Sequence, residues 1–384
     1  EKSLKPATSD GYHSHMLPGL YVHVPFCRTK CPYCGFYSIP SKIPVAGWLD
    51  GLKREILRYN DQFNRFDSFY LGGGTPTFLS VEVLKEVMAC LFDHFHLTPD
   101  AEITIEANPR DITPEKANVF KSMGFNRINL GVQSFSDPVL KFLGRNHSAE
   151  DAENAIRYLR SAGFQNIGLD LIYGLKVQSM KAWINTLKRA LAFRPEHLSC
   201  YQLTLEKGTV FDRRSQEKER IILPEKTAAA HFMATSAFLE NNGYTHYEVS
   251  NFARGESFEA RHNRKYWEHV PYLSLGPSAH SFDGKKRWWN VRSVKKYAAA
   301  LKEGRPPVAG SEILTTQQLH LESLALGFRT RKGVDLEILT RTPTSKEALL
   351  LLTDRGLLKL EKGRAVPTTR GYLLADSLPL CFSN

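Results

Sequence analysis

Between Leu20 and about Leu205, short apolar stretches alternate with longer amphipathic ones. Apolar runs near 21–24, 68–71, 102–106, 127–130, 167–172 and 197–202 predict strands. Helical periodicity predicts helices following Pro44, Ser80, Thr113, Asp137, Ala149 and Met180. Strands that alternate with helices belong to a parallel sheet, and right-handed crossovers curl such units into a barrel. The expected fold is therefore α/β, a partial TIM-like (β/α)6 barrel over 17–245, preceded by a flexible segment, 1–16. A further helix is expected over 224–242, after which the chain becomes irregular and aromatic up to a Pro306-Pro307 break, so 246–310 is read as a linker region. Helical patterns at 319–328, 335–339 and 345–355, followed by strand-like 357–360 and 365–367, predict a small C-terminal α+β domain over 311–384, winged-helix-like in outline.

A chain of 384 residues has room for such a pair, since single cores stop growing at roughly 250–300 residues. No apolar run is long enough to cross a bilayer. The net charge of +11 suits an anionic partner, but the basic residues are spread out, with local clusters at Lys285-Lys286-Arg287 and Arg329-Thr330-Arg331-Lys332. A solvated basic surface or a small polyanion such as a porphyrin fits that distribution, and nucleic acid is not expected. Six cysteines do not make a disulfide framework in a chain of this length, which points to a reducing compartment. Cys90, Cys200 and Cys381 stand apart in apolar surroundings and read as buried, inert thiols. The polar stretch 1–15 carries no signal-peptide core, so the cytoplasm is the expected compartment.

The informative chemistry lies in Cys27, Cys31 and Cys34, a C-x3-C-x2-C triplet just after the first strand. Three thiolates can hold three irons of a cubane iron–sulfur cluster and leave the fourth iron open. A zinc site completed by His23 or a distant residue is the alternative, but no second cysteine pair is present to supply it. Tyr33, Phe36 and Tyr37 would give the cluster an apolar shell. Gly72-Gly73-Gly74-Thr75-Pro76 follows the second strand; its glycines permit close backbone approach to a ligand, or simply a tight strand-to-helix turn, and the run lacks the Lys-Ser/Thr ending of a Walker loop. Glu106-Ala107-Asn108-Pro109, Gln133-Ser134 and Asp170 close the third, fourth and fifth strands. All these clusters fall at strand C-terminal ends, where a parallel barrel carries its active site.

The cysteine triplet followed by Gly-Gly-Gly-Thr-Pro resembles the radical S-adenosylmethionine (SAM) superfamily. Tyr21-Val22-His23-Val24-Pro25-Phe26-Cys27, the Glu-Ala-Asn-Pro stretch, Gly131-Val132-Gln133-Ser134 and Gly144-Arg145-Asn146-His147 are similar to the branch that holds oxygen-independent coproporphyrinogen III dehydrogenase and the HemW-type haem chaperones. The resemblance implies a [4Fe-4S] cluster on Cys27, Cys31 and Cys34, whose open iron chelates S-adenosyl-L-methionine ahead of reductive cleavage to a 5′-deoxyadenosyl radical. It places the methionine end of SAM at Gly73, Gly74 and Thr75, and the rest of the cofactor against Tyr21, Glu106, Gln133, Arg145 and Asp170. Glu106 and Asp170 can accept from ribose hydroxyls or the amine, and Arg145 can pair with a carboxylate; each could equally be a barrel-end ion pair.

Two features separate the branch members. The dehydrogenases usually carry a fourth cysteine two places after the triplet, where this chain has Gly35-Phe36. His262-Asn263-Arg264-Lys265-Tyr266-Trp267, with Gly276-Pro277-Ser278-Ala279-His280 beyond it, resembles the H-N-x-x-Y-W signature of the haem chaperones. That implies haem as a ligand, with His262 as its axial imidazole and His280 as the rival. The alternative is that His262 and Asn263 form a hydrogen-bonded turn supporting the barrel mouth. The expectation is thus a haem chaperone that passes haem to acceptor proteins, by resemblance including membrane-associated respiratory enzymes at whose membrane it would be peripheral. A coproporphyrinogen III dehydrogenase is the runner-up, and a zinc-stabilised RNA-binding module, suggested by charge alone, comes third.

Overall fold

The computed structural model describes residues 16–40, 45–59, 61–340 and 342–382, so all but Met16 of the expected flexible segment lies outside it. Twelve strands form one sheet: β1 (Gly19–Val24), β2 (Arg65–Gly73), β3 (His96–Ala107), β4 (Arg127–Gln133), β5 (Ile167–Tyr173), β6 (His197–Gln202), β7 (Thr245–Glu248), β8 (Asn251–Ala253), β9 (Tyr272–Leu275), β10 (His280–Phe282), β11 (Lys286–Asn290) and β12 (Val308–Ile313). Their spatial order is β12-β11-β10-β9-β1-β2-β3-β4-β5-β6-β8-β7. Every pairing from β9 through β1 to β6 is parallel, and both flanks are antiparallel.

Each predicted strand is present, and the predicted helices form at Val45–Tyr59, Val81–His94, Pro114–Ser122, Asp137–Phe142, Ala149–Ser161 and Met180–Ala192. Their starts are written locally. The Ser80 hydroxyl accepts from the Val83 amide, Thr113 caps a helix that opens on Pro114, and Ser148 forms a capping box with Asp151. Alternation along the strands then sorts the two faces. Leu20, Val22 and Val24 of β1 and Phe69 and Leu71 of β2 are completely or almost completely buried in the main apolar core. The intervening positions, Tyr21, His23, Ser68 and Tyr70, point into a polar lumen, where Glu102, Thr104, Arg127 and Asn129 of the next two strands are also buried.

The expected linker, 246–310, is part of the sheet. It supplies β8 to β11, most of β7 and the first half of β12, because its aromatic residues alternate in burial as a strand requires; Trp288 is buried between half-buried Arg287 and Trp289. Its strand β9 is a seventh parallel strand against β1, too short to stand out from the irregular pattern around it. Cys381 also departs from expectation. It is exposed, because the turn Leu378–Phe382 directs Leu378, Pro379 and Phe382 inward instead. Cys200 is buried as expected, and Cys90 is half-buried.

The C-terminal part has its own core, with Leu324, Phe328, Leu349, Leu352 and Phe382 buried beneath a three-stranded sheet (Val334–Asp335, Arg364–Pro367, Leu358–Glu361). Helices Thr316–Gly327, Leu336–Leu339 and Pro343–Asp354 complete it, in line with the predicted small α+β domain. A bridge between Glu248 and Thr330 ties it to the edge of the large sheet. Among the described residues no helix is long and apolar enough to cross a membrane.

Candidate functional site

The C-terminal ends of β1 to β6 surround a cavity of about 670 Å³. Its wall includes Cys27, Cys31, Cys34, Gly73, Gly74, Thr75, Glu106, Gln133, Arg145 and Asp170, so the fold gathers onto one surface the residues that sequence motifs singled out between Cys27 and Asp170. The cysteine loop leaves β1 and is pinned at both ends. Phe26–Cys27 pairs with Ile39–Pro40, and the Ile39 amide donates to the Pro25 carbonyl at 2.8 Å. Within it the Cys34 amide donates to the Cys31 carbonyl at 3.1 Å, turning the three half-buried thiols towards the cavity. Among the described residues no three His, Cys, Asp or Glu side chains converge closely enough for a single metal ion; the thiols line a wall instead.

Next to this loop Gly73 and Gly74 each have a reason to be glycine. The Gly74 and Thr75 amides donate to the Val24 and Phe26 carbonyls at 2.7 and 2.8 Å, and a Cβ on Gly74 would meet that Phe26 oxygen at 2.6 Å. Gly73 has φ +110°, and a Cβ there would stand 2.5 Å from Nδ1 of His23. Its amide donates to Glu106 Oε2 at 3.0 Å, while Tyr70 donates to Glu106 Oε1 at 2.8 Å. Thr75 donates to Cys27 Sγ at 3.5 Å. Burial raises the Cys27 thiol, partly offset by the hydrogen bond from Thr75, and burial likewise raises Cys34.

Two carboxylates line the cavity on either side of β4. Burial pushes Glu106 up to about 7, the Tyr70 hydrogen bond partly offsets this, and the nearby Asp170 charge adds to it. Burial also raises Asp170, whose Oδ2 accepts from Asn129 at 2.7 Å. A cationic ligand would relieve both. Three further polar atoms are buried here without a hydrogen-bond partner: Asp170 Oδ1, Gln133 Oε1 and Arg145 Nε. Gln133 is moreover a non-glycine residue at φ 65°, a strained geometry of the kind that collects at binding sites. Orphaned acceptors, a glycine cradle and three thiols on one wall fit a cationic, hydroxyl-rich cofactor lying against a cluster.

Three expected residues are engaged by other groups of the protein. Arg145 donates to Cys31 Sγ at 3.4 Å and to the Gly131 carbonyl at 2.8 Å, so two of its guanidinium nitrogens hold the thiol wall while its Nε stays unpartnered on the cavity side. Tyr21 is not on the cavity wall. It stacks on Tyr70 and donates to His23 Nδ1 at 3.1 Å, the direction being set because His23 Nε2 must donate to the Tyr37 carbonyl at 2.8 Å. Tyr21 therefore braces the His23 ring on which Gly73 rests. His262, finally, is buried at the floor of the lumen, with Nδ1 bonded to Ser68 at 3.1 Å and Nε2 to Tyr266 at 2.9 Å. Burial lowers it to about 3. With both nitrogens engaged it is not an open ligand. The helix Arg261–Trp267 is a plug, its first amides held by Glu102, which accepts from Arg261 and His262 at 3.1 and 3.0 Å and pairs with buried Arg127 at 3.6 Å.

Tyr70 and Asn129 belong to the site but carry no motif of their own; only strand alternation, two places from Gly72 and from Gly131, could have pointed to them.

The Radical SAM superfamily profile matches residues 21–190. A protein of Mycobacterium tuberculosis named heme chaperone HemW is 37% identical over 94% of this chain and 93% of its own length. The chain belongs to the HemW family of the radical SAM superfamily. A HemW of Bacillus subtilis is 33% identical over 93% of this chain and 97% of its own length. Among solved structures, coproporphyrinogen III oxidase (HemN) of Escherichia coli, a radical SAM enzyme, superposes with a TM-score of 0.82 at 25% identity, covering 97% of this chain and 92% of that one.

Proposed function

We propose that this chain binds haem and a [4Fe-4S] cluster with S-adenosylmethionine, and passes the haem to acceptor proteins. The observation that carries this reading is the likeness along almost the entire chain to proteins named heme chaperone, at higher identity than to HemN. Cys27, Cys31 and Cys34 would hold the cluster, which when bound supplies an electron to the SAM sulfonium. The chain's own part is positioning. Arg145 offsets the negative charge of the thiolates, Gly73 and Gly74 leave the cavity wall beside them free of side-chain bulk, and Glu106 and Asp170 accept from the amine or ribose hydroxyls.

The likeness to HemN favours oxidative decarboxylation of coproporphyrinogen III as the second reading. Phe36, 69% exposed where dehydrogenases of the branch carry a fourth thiol, argues against it. Protein reconstituted with iron and sulfide without oxygen should bind about one haem and leave coproporphyrinogen III unconverted. Protoporphyrinogen IX formed over many turnovers would replace the chaperone reading with the enzyme.

A further inference from the structure

An imidazole that takes up haem iron from solution needs a ring nitrogen that is accessible and not already bonded. Among the described histidines, only His96 and His280 are exposed. The others are buried or half-buried: His23, His147, His246 and His262 hold hydrogen bonds in the interior, for example, and His269 pairs with Glu322 at 3.1 Å. His96 opens β3 at the N-terminal end of the barrel, away from the cysteine loop. His280 lies at the other end.

The registers show where. Gly19 of β1 pairs with Tyr272, Tyr272 with Phe282, Phe282 with Arg287, and His280 with Trp289. Paired residues share a face of the sheet, so His280 and Trp289 lie on the lumen side, just past the β1 edge of the barrel. The turn at Gly276 that leads into β10 abuts the His23 carbonyl, where a Cβ would come within 2.6 Å. The charges of both Arg292 and His280 bear on the His23 ring. His280 stacks on Trp289 with ring centroids 6.0 Å apart and makes no hydrogen bond among the described residues. Arg292 is exposed, donates to the Gly35 carbonyl at 2.8 Å and lies 5.9 Å over the Tyr37 ring, so it joins this edge to the cysteine loop beside exposed Phe36.

We propose that His280 is the axial ligand of the haem, with Trp289 backing the imidazole, Arg292 meeting a propionate, and the macrocycle lying against the cysteine-loop side of the barrel edge. This rests on the haem-binding reading above. An imidazole, an aromatic wall and a guanidinium together match a flat dianionic macrocycle with a metal centre. The placement brings the haem edge next to the loop that would carry the cluster.

The test is titration of the full reconstituted chain with hemin, followed by the Soret band and the ferric low-spin resonance, for wild type, His280→Ala, His96→Ala and His13→Ala/His15→Ala, the last two positions lying outside the described residues. Folding of His280→Ala is checked by SAM binding. His280→Ala should weaken hemin binding by roughly tenfold or more, equivalent to at least about 1.4 kcal/mol, and lose the low-spin signal, with added imidazole restoring the signal. The other two variants should match wild type. A wild-type spectrum and affinity in His280→Ala would overturn the ligand assignment while the haem-binding reading stood. Failure of the wild type itself to bind hemin would overturn both.

Discussion

An alanine at position 73 separates the two demands placed on that residue. The first is conformational: φ of +110° costs a β-carbon-bearing residue ~1–2 kcal/mol. The second is steric, since the new methyl would sit 2.5 and 2.6 Å from Nδ1 and Cε1 of His23. His23 cannot yield freely, because Tyr21 and the Tyr37 carbonyl hold its two nitrogens. Moving it gives up two hydrogen bonds at ~1 kcal/mol each, and more where a partner stays buried and unpaired. The total is roughly 3–5 kcal/mol. Gly163 provides the control, with φ +84° and no atom within 4 Å of its would-be Cβ, so Gly163→Ala meets only the first cost. The difference between the two variants, ~2–3 kcal/mol, should appear as an apparent melting temperature lower by about 4–6 °C, at roughly 2 °C per kcal/mol for a large domain. Calorimetric titration with SAM should show binding in Gly163→Ala and none in Gly73→Ala. If the two variants melt together and bind SAM alike, His23 is not the wall that requires a glycine.

Glu106 supplies a pH dependence. Its folded value of about 7 lies above the unfolded 4.5, so its contribution to the stability of the ligand-free protein is full below about 4.5 and is lost as pH rises through about 7. SAM, being cationic, should bind more tightly across the same rise, and a Glu106→Gln variant whose affinity keeps the wild-type pH slope would contradict this. Replacing Cys27, Cys31 and Cys34 together with alanine should abolish iron and sulfide uptake and the broad charge-transfer absorption; unchanged iron content would move the cluster elsewhere. Glu55 is completely buried and accepts from Tyr297, Asn290 and the Gly276 amide at 2.6, 2.6 and 2.7 Å. Glu55→Ala would orphan those donors and should cost ~3–5 kcal/mol in chemical denaturation, loosening the turn before His280 as well; a loss under ~1 kcal/mol would rule out that anchoring role.

The periodic elements from β1 to β6, their helices and the rim position of the cysteines, glycines, Glu106 and Asp170 were legible in the chain itself, because alternation and capping are local and a parallel barrel always presents its strand ends together. The resemblance carried by the cysteine and glycine loops identified the superfamily for the same reason: the chemistry is packed into short contiguous stretches. Direction and depth were not local. Whether Tyr21 touches the cavity or braces His23, whether Arg145 faces a carboxylate or a thiol, and whether His262 is open or sealed beneath the lumen all depend on strand register and on which element closes the barrel floor. His262 and His280 look equivalent as letters in a sequence. Tertiary structure separates them, because Glu102 draws the helix of one into the barrel, while the short antiparallel strand of the other leaves its ring at the edge with its nitrogens free.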